Sequence, residues 1–151
     1  MELRPEKLPG ERTYALDTVT LIYFLERHAD FYPRAKALFL RIEAGEISAI
    51  ISSLVFAELL VPAFRVGKQQ QARKIVRILS NFPNLTVIPL TTTISTAAAR
   101  LRANHGLRTP DAIHAATALE SDATGFLTND KSFLKIATGD FGVWLFGDHG
   151  A

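Results

Sequence analysis

Apolar residues along this chain fall into short runs and one-sided spacings that take turns. Tyr14-Ala15-Leu16 is a compact apolar run of the kind a buried strand shows, and beyond Asp17 the spacing changes to Leu21, Ile22 and Leu25, one face of a helix. Asp30-Phe31-Tyr32-Pro33 breaks that pattern. Pro33 suits the first turn of a second helix, which carries Ala35, Leu38, Phe39 and Ile42 and stops at Gly45. Ile47 to Ile51 is short and rich in β-branched residues, hence a second strand, and Ser52 or Ser53 is placed to cap the helix that follows. Pro62 should kink or end that helix. After the polar stretch Gly67 to Gln71, a helix to about Ser80 turns Ala72, Ile75, Val76 and Leu79 inward. Leu85 to Leu90 reads as a third strand, Thr91 to His105 as a helix closed by Gly106, and Thr109 with Pro110 as the start of an alanine-rich helix through Leu119. Gly125 to Thr128 is a fourth short strand and Val143 to Phe146 an edge strand. Strands alternating with helices predict an α/β fold, a mostly parallel sheet covered on both faces.

Composition narrows this to one unit. The chain has 151 residues, 48% hydrophobic and 21% charged, which suits a single core. Met1 to Thr13 alternates charges with Pro5, Pro9 and Gly10 and holds no apolar segment, so it reads as a loose tail and no signal peptide, with residues 14–151 as the single domain. Ile47 to Phe64, the most apolar stretch, is interrupted by Ser48, Ser52, Ser53, Glu58 and Pro62, so no membrane span is expected. The absence of cysteine removes disulfides, thiolate metal sites and cysteine nucleophiles, and agrees with a cytoplasmic location.

Charge changes the picture only through its placement. A net charge of +2 and a pI near 9.1 are mildly basic. Arg65, Lys68, Arg73, Lys74 and Arg77 gather in one part of the chain, and Arg100, Arg102 and Arg108 precede Asp111. A solvated charged face is the commoner meaning of such a patch; with no aromatic residues interleaved, one that binds suits phosphates rather than stacked bases, so Lys68, Arg73, Arg77 and Arg108 are candidate phosphate contacts.

The acids carry the chemistry. Asp17 and Asp130 follow strands, while Glu58 and Asp111 lie on helices close to their starts, and a parallel sheet gathers such positions at its carboxyl edge. Each has a structural reading of its own. Asp17 and Asp130 can cap the turns that follow them, and Asp111 can complement a helix dipole. Glu58 could face solvent, but its apolar neighbours Val55, Phe56, Leu59, Leu60 and Val61 make that an odd setting. His114, one turn on from Asp111, is either a core histidine or a support for the acids. Four carboxylates in one place repel one another unless a cation joins them, and hard oxygen ligands without cysteine suit Mg2+ or Mn2+ in a phosphoryl-transfer site.

The runs Leu16-Asp17-Thr18 with Leu21-Ile22-Tyr23, Ser53 to Glu58-Leu59, Asp111 to Ala118, and Leu127-Thr128-Asn129-Asp130-Lys131-Ser132-Phe133 resemble, in order, the motifs of PIN-domain ribonucleases, and within them the VapC toxins of VapBC toxin–antitoxin pairs. The resemblance covers Tyr14 to Phe146. It implies a three-layer αβα domain with a central sheet of four to five strands and a magnesium- or manganese-dependent endoribonuclease, usually a homodimer, restrained by an antitoxin. It makes Asp17, Glu58, Asp111 and Asp130 the metal-site and catalytic acids, with the Thr128 hydroxyl beside them. The chain departs from the pattern at Val19, where many relatives carry a small polar residue, so Thr18 or Thr20 is expected to supply that hydrogen bond. The alternatives are a PIN-fold RNA- or protein-binding module without catalysis and a nuclease of general RNA processing. No phosphate loop, His-Glu-x-x-His pair or Gly-x-Ser-x-Gly elbow is present. An acid two residues after Asp17, which resemblance to aspartyl-phosphate enzymes would require, is missing too. His105 and His114 could serve a metal-free acid–base ribonuclease, though their spacing does not demand it.

Overall fold

In the computed structural model, which describes residues 1–147, five strands form one sheet: β1 (Thr13–Leu16), β2 (Ser48–Ser52), β3 (Leu85–Ile88), β4 (Gly125–Thr128) and β5 (Gly142–Leu145). Their order is β3-β2-β1-β4-β5 and each neighbouring pair is parallel. Successive side chains of a strand point to opposite faces, and the core divides accordingly. Tyr14, Leu16, Ala49, Ile51 and Leu127 face one apolar layer, and Ala15, Ile50 and Phe126 face the other.

The first layer is covered by α1 (Thr18–Leu25), α2 (Tyr32–Glu43), α3 (Leu54–Leu59), α4 (Val61–Arg65) and α5 (Gln69–Ser80), the second by α6 (Thr92–His105), α7 (Thr109–Glu120) and a 3-10 turn over Lys131–Ile136. This is the expected three-layer αβα domain. Pro62 breaks the helix containing Glu58 as predicted, since α4 begins afresh with it in the first turn. Gly106 ends α6 with φ +67°, the left-handed conformation that favours glycine over residues with a Cβ. Ala112, Ala115, Ala116 and Ala118 are all fully buried, so α7 lies close against the sheet and its first turn reaches the sheet's edge.

The expectation of a loose tail over residues 1–13 is wrong. Leu3 is 0% exposed, and Glu2 bridges to Leu145 in parallel fashion, extending the sheet beyond β5. Arg41 Nη1 donates to the carbonyls of Pro5 and Leu8 at 2.7 Å each. The charged and prolyl residues between Leu3 and Leu8 hid two apolar anchors. The last four residues of the expected 14–151 unit lie outside the described residues.

Candidate active site

The chain leaves β1 towards β2 on one side and returns to β4 on the other, so the sheet's switch point lies between β1 and β4. In open α/β sheets the crevice outside the carboxyl ends at such a point receives ligands. Asp17 follows β1 there, and Thr128-Asn129-Asp130 ends β4. Glu58 arrives from α3 and Asp111 from α7, and all four predicted acids line one cleft of about 410 Å³.

Asp17 is buried, at 6% exposure. Its Oδ1 accepts from the Thr20 amide and hydroxyl at 3.2 Å each, and its Oδ2 accepts from the Thr128 hydroxyl. Both readings of this residue therefore hold, because it caps α1 and also faces the cleft. Thr20, whose hydroxyl also reaches the Leu127 carbonyl at 3.0 Å, supplies the hydrogen bond that Val19 lacks. Burial raises the Asp17 pKa from 3.8 to about 6, outweighing the hydrogen bonds and the nearby His114, which act the other way.

Glu58 is half-exposed and reaches inward with one oxygen. Oε1 accepts from the Thr18 hydroxyl at 2.6 Å and lies 2.7 Å from His114 Nε2, and these partners hold its pKa below the usual value. His114 is 4% exposed and its Nδ1 has no partner among the described residues, while its Nε2 lies against Glu58 and, at 3.3 Å, Thr18. Both contacts fall on Oε1. Oε2 is thereby the oxygen left to the cleft.

Asp111 pairs with Arg108, Nε to Oδ2 at 3.3 Å, across a guanidinium that is itself largely exposed. Arg108 stands at the cap position of α7 without a side-chain bond, and Thr109 is already helical. Asp130 accepts from the Ser132 amide at 2.9 Å, capping the 3-10 turn while lining the cleft. Lys68, Arg73, Arg77 and Arg108 are all exposed and none is among the residues lining the cleft; of these four candidate phosphate contacts only Arg108 touches an acid.

Two residues that sequence reasoning did not single out also form the wall. Asn129 Nδ2 donates to the Tyr23 hydroxyl at 3.0 Å, and the Gly147 amide donates to Asn129 Oδ1 at 3.1 Å. The signal was faint: both sit inside motifs that carry the resemblance, Leu21-Ile22-Tyr23 and Leu127-Thr128-Asn129-Asp130, but nothing in those runs couples one to the other.

The donors fit a hard divalent ion in kind, since they are carboxylates, and in charge, since a cation would compensate the buried Asp17. They are not gathered for it: among the described residues no three acidic or histidine side chains stand close enough to share an ion.

A PIN domain family model matches residues 14–139. No curated protein matches. Among solved structures, the chain is similar to VapBC2 from Rickettsia felis bound to a DNA fragment from their promoter, at 24% identity over 87% of this chain and 98% of that one, with a TM-score of 0.66. It is also similar to VapC20 of Mycobacterium tuberculosis, a sarcin–ricin loop cleaving toxin, at 17% identity over 84% and 97% with a TM-score of 0.64. A toxin–antitoxin complex from Klebsiella pneumoniae is similar at 24% identity over 85% and 95%, TM-score 0.62. Because the family model spans residues 14–139, most of the chain, this chain belongs to the PIN domain family.

Proposed function

We propose that the chain is a metal-dependent endoribonuclease and the toxin of a type II toxin–antitoxin pair. The observation that carries the reading is the meeting of Asp17, Glu58, Asp111 and Asp130 in one cleft of a PIN fold. Drawn closer than they stand here, these four would hold Mg2+ or Mn2+, which when bound supplies polarisation of the phosphate and neutralisation of charge at the leaving oxygen. The protein's own part is orientation. Thr20 and Thr128 fix both oxygens of Asp17, and Thr18 with His114 turns Glu58 Oε2 to the cleft. Arg108 at the rim, and the exposed Lys68, Arg73 and Arg77 beyond it, meet the phosphates of an approaching strand.

The test is incubation of the purified chain with single-stranded RNA and with DNA of the same sequence. Cleavage of RNA alone, stopped by EDTA and restored by Mg2+ or Mn2+, is expected; equal cleavage of DNA sinks the ribonuclease reading. Mn2+ at a hundredfold over its dissociation constant should also stabilise the fold by about 2.7 kcal/mol, a rise of roughly 5–10 °C in melting temperature for a chain of this size. An unmoved melting curve would mean that the acids hold no ion.

A second observation favours the toxin over a general nuclease. An open apolar groove of about 580 Å³ runs between α1, α4 and α5, lined by Leu25, Leu59, Ala63, Ile75 and Phe82, with the cations Arg27 and Lys74 outnumbering the one acid, Glu26. Ile22 lines both groove and cleft, so a peptide seated in the groove leads on to the acids. The groove suits the apolar face of an antitoxin helix with acidic flanks. Phe64 and Val66, 57% and 67% exposed, are the apolar face for a homodimer. Light scattering on a sizing column reads both: the chain alone should elute as a dimer, and co-expression with a small upstream reading frame should give a complex that cleaves no RNA. A monomer, or a complex with full activity, counts against the respective part.

A further inference from the structure

The cleft wall of a nuclease must hold a phosphodiester against its own carboxylates, yet no lysine or arginine is among the described residues that line it. Most of its side-chain donors are already engaged. The Thr18 hydroxyl is given to Glu58, and His114 Nε2 lies on the same carboxylate oxygen. Asn129 gives one amide hydrogen to Tyr23. What remains is the second Asn129 hydrogen and the hydroxyl proton of Tyr23.

The direction of that proton follows from the chain of bonds behind it. The Gly147 amide donates to Asn129 Oδ1, which fixes the amide so that Nδ2 faces Tyr23. The Tyr23 oxygen is therefore an acceptor from Asn129, and its single proton must point elsewhere. No carbonyl or carboxylate among the described residues takes it. The ring cannot swing to find one: it is 4% exposed, with its centroid 4.9 Å from that of Phe31, 5.0 Å from Phe146 and 4.8 Å from His28. Tyr23 and its donor Asn129 both line the cleft, which is the open space beside this pair.

We infer that Tyr23 is a substrate-binding residue whose hydroxyl, set by Asn129, donates to a phosphate oxygen of the RNA strand in the cleft. This rests on the nuclease reading above. A neutral donor suits the place, because it engages the phosphate without pairing with the acids and closing the cleft, as a lysine there would.

The experiment compares wild type and Tyr23→Phe for three quantities: kcat/KM on a fluorogenic single-stranded RNA with Mn2+, Mn2+ affinity by calorimetry without RNA, and melting temperature. The ring is kept, so metal affinity and melting should match wild type. Loss of a hydrogen bond to a charged group predicts a roughly ten- to hundredfold fall in kcat/KM. Asn129→Ala frees the hydroxyl to rotate and should fall less than Tyr23→Phe does. Wild-type kcat/KM in Tyr23→Phe overturns the inference, and so does a fall that tracks weakened Mn2+ binding or a lowered melting temperature, since either makes the tyrosine structural. A wild-type chain that cleaves no RNA overturns the nuclease reading instead, and this inference with it.

Discussion

Asp17→Asn is expected to lower RNA cleavage by roughly a thousandfold or more, the scale of losing a charged group that acts on the transition state, and at the same time to stabilise the metal-free protein at pH 7. The second half is the less intuitive. Asp17 is buried among neutral donors and its pKa in the folded chain is about 6, against an ordinary 3.8. A carboxyl with a raised pKa favours folding only while it is protonated. That advantage is whole below pH 3.8 and is lost as the pH rises through 6, after which the buried charge weighs against the fold. The gap is worth roughly 3 kcal/mol at most. Asparagine carries no charge at any pH, and its amide can answer the Thr128 hydroxyl, which can turn to accept. The mutant should therefore melt several degrees above wild type at pH 7 and level with it near pH 4. Mn2+ should reverse the order at pH 7 by raising wild type and leaving the mutant where it was. A mutant that still cleaves, or one that melts below wild type at pH 7 without metal, would contradict the role given to Asp17.

Most of the sheet and helices could be read from the sequence because each change of element is a change of period, from the run at Tyr14 to the spacing from Leu21, with Pro62 and Gly106 marking ends. The N-terminal arm could not be. Its strand pairing is with Leu145, at the other end of the chain, and neither Leu3 nor Leu8 belongs to a run. The four acids were legible as a set, because each stands at an element's end and the topology gathers those ends. Their partners were not. Glu58 and His114 are 56 positions apart and Tyr23 and Asn129 are 106 apart, so nothing local couples them. The apolar neighbours of Glu58 make an odd setting for a solvent-facing acid. They arise because α3 and α4 have two apolar faces, one packed by Val55 on the core and one, with Leu59 and Ala63, lining an open groove. A sequence does not distinguish a face covered by its own chain from one left for another.

Gly125→Ala should cause the largest loss of stability of any single methyl addition in the sheet, because a Cβ there would overlap the Trp144 ring at Cζ3 and lie 2.6 Å from the Gly142 carbonyl oxygen. The carbonyl is backbone and cannot yield, and the ring can do so only by leaving its place on the sheet. Gly125 pairs with Tyr14 on one side and Gly142 on the other, so its backbone is held by both adjacent strands. Gly142 is equally bare, and a Cβ on it would come within 2.6 Å of Trp144 Cη2; the two glycines together form the floor on which the indole lies. The indole is edge-on to Tyr14, centroids 5.6 Å apart, whose hydroxyl is in turn bonded to the Pro9 carbonyl at 2.8 Å. Overpacking of this kind costs roughly 3 kcal/mol, here at the upper end because backbone is involved, or about 10 °C in melting temperature. Trp144→Leu should lower stability by itself through the cavity it leaves, yet add less than its own cost to Gly125→Ala, since without the ring the methyl has room. A thermal-melt double-mutant cycle measures this coupling. If Gly125→Ala melts within about 1 °C of wild type, or if the two losses simply add, the indole does not rest on that glycine, and the register that brings Thr128 and Asn129 to the cleft is held by something else.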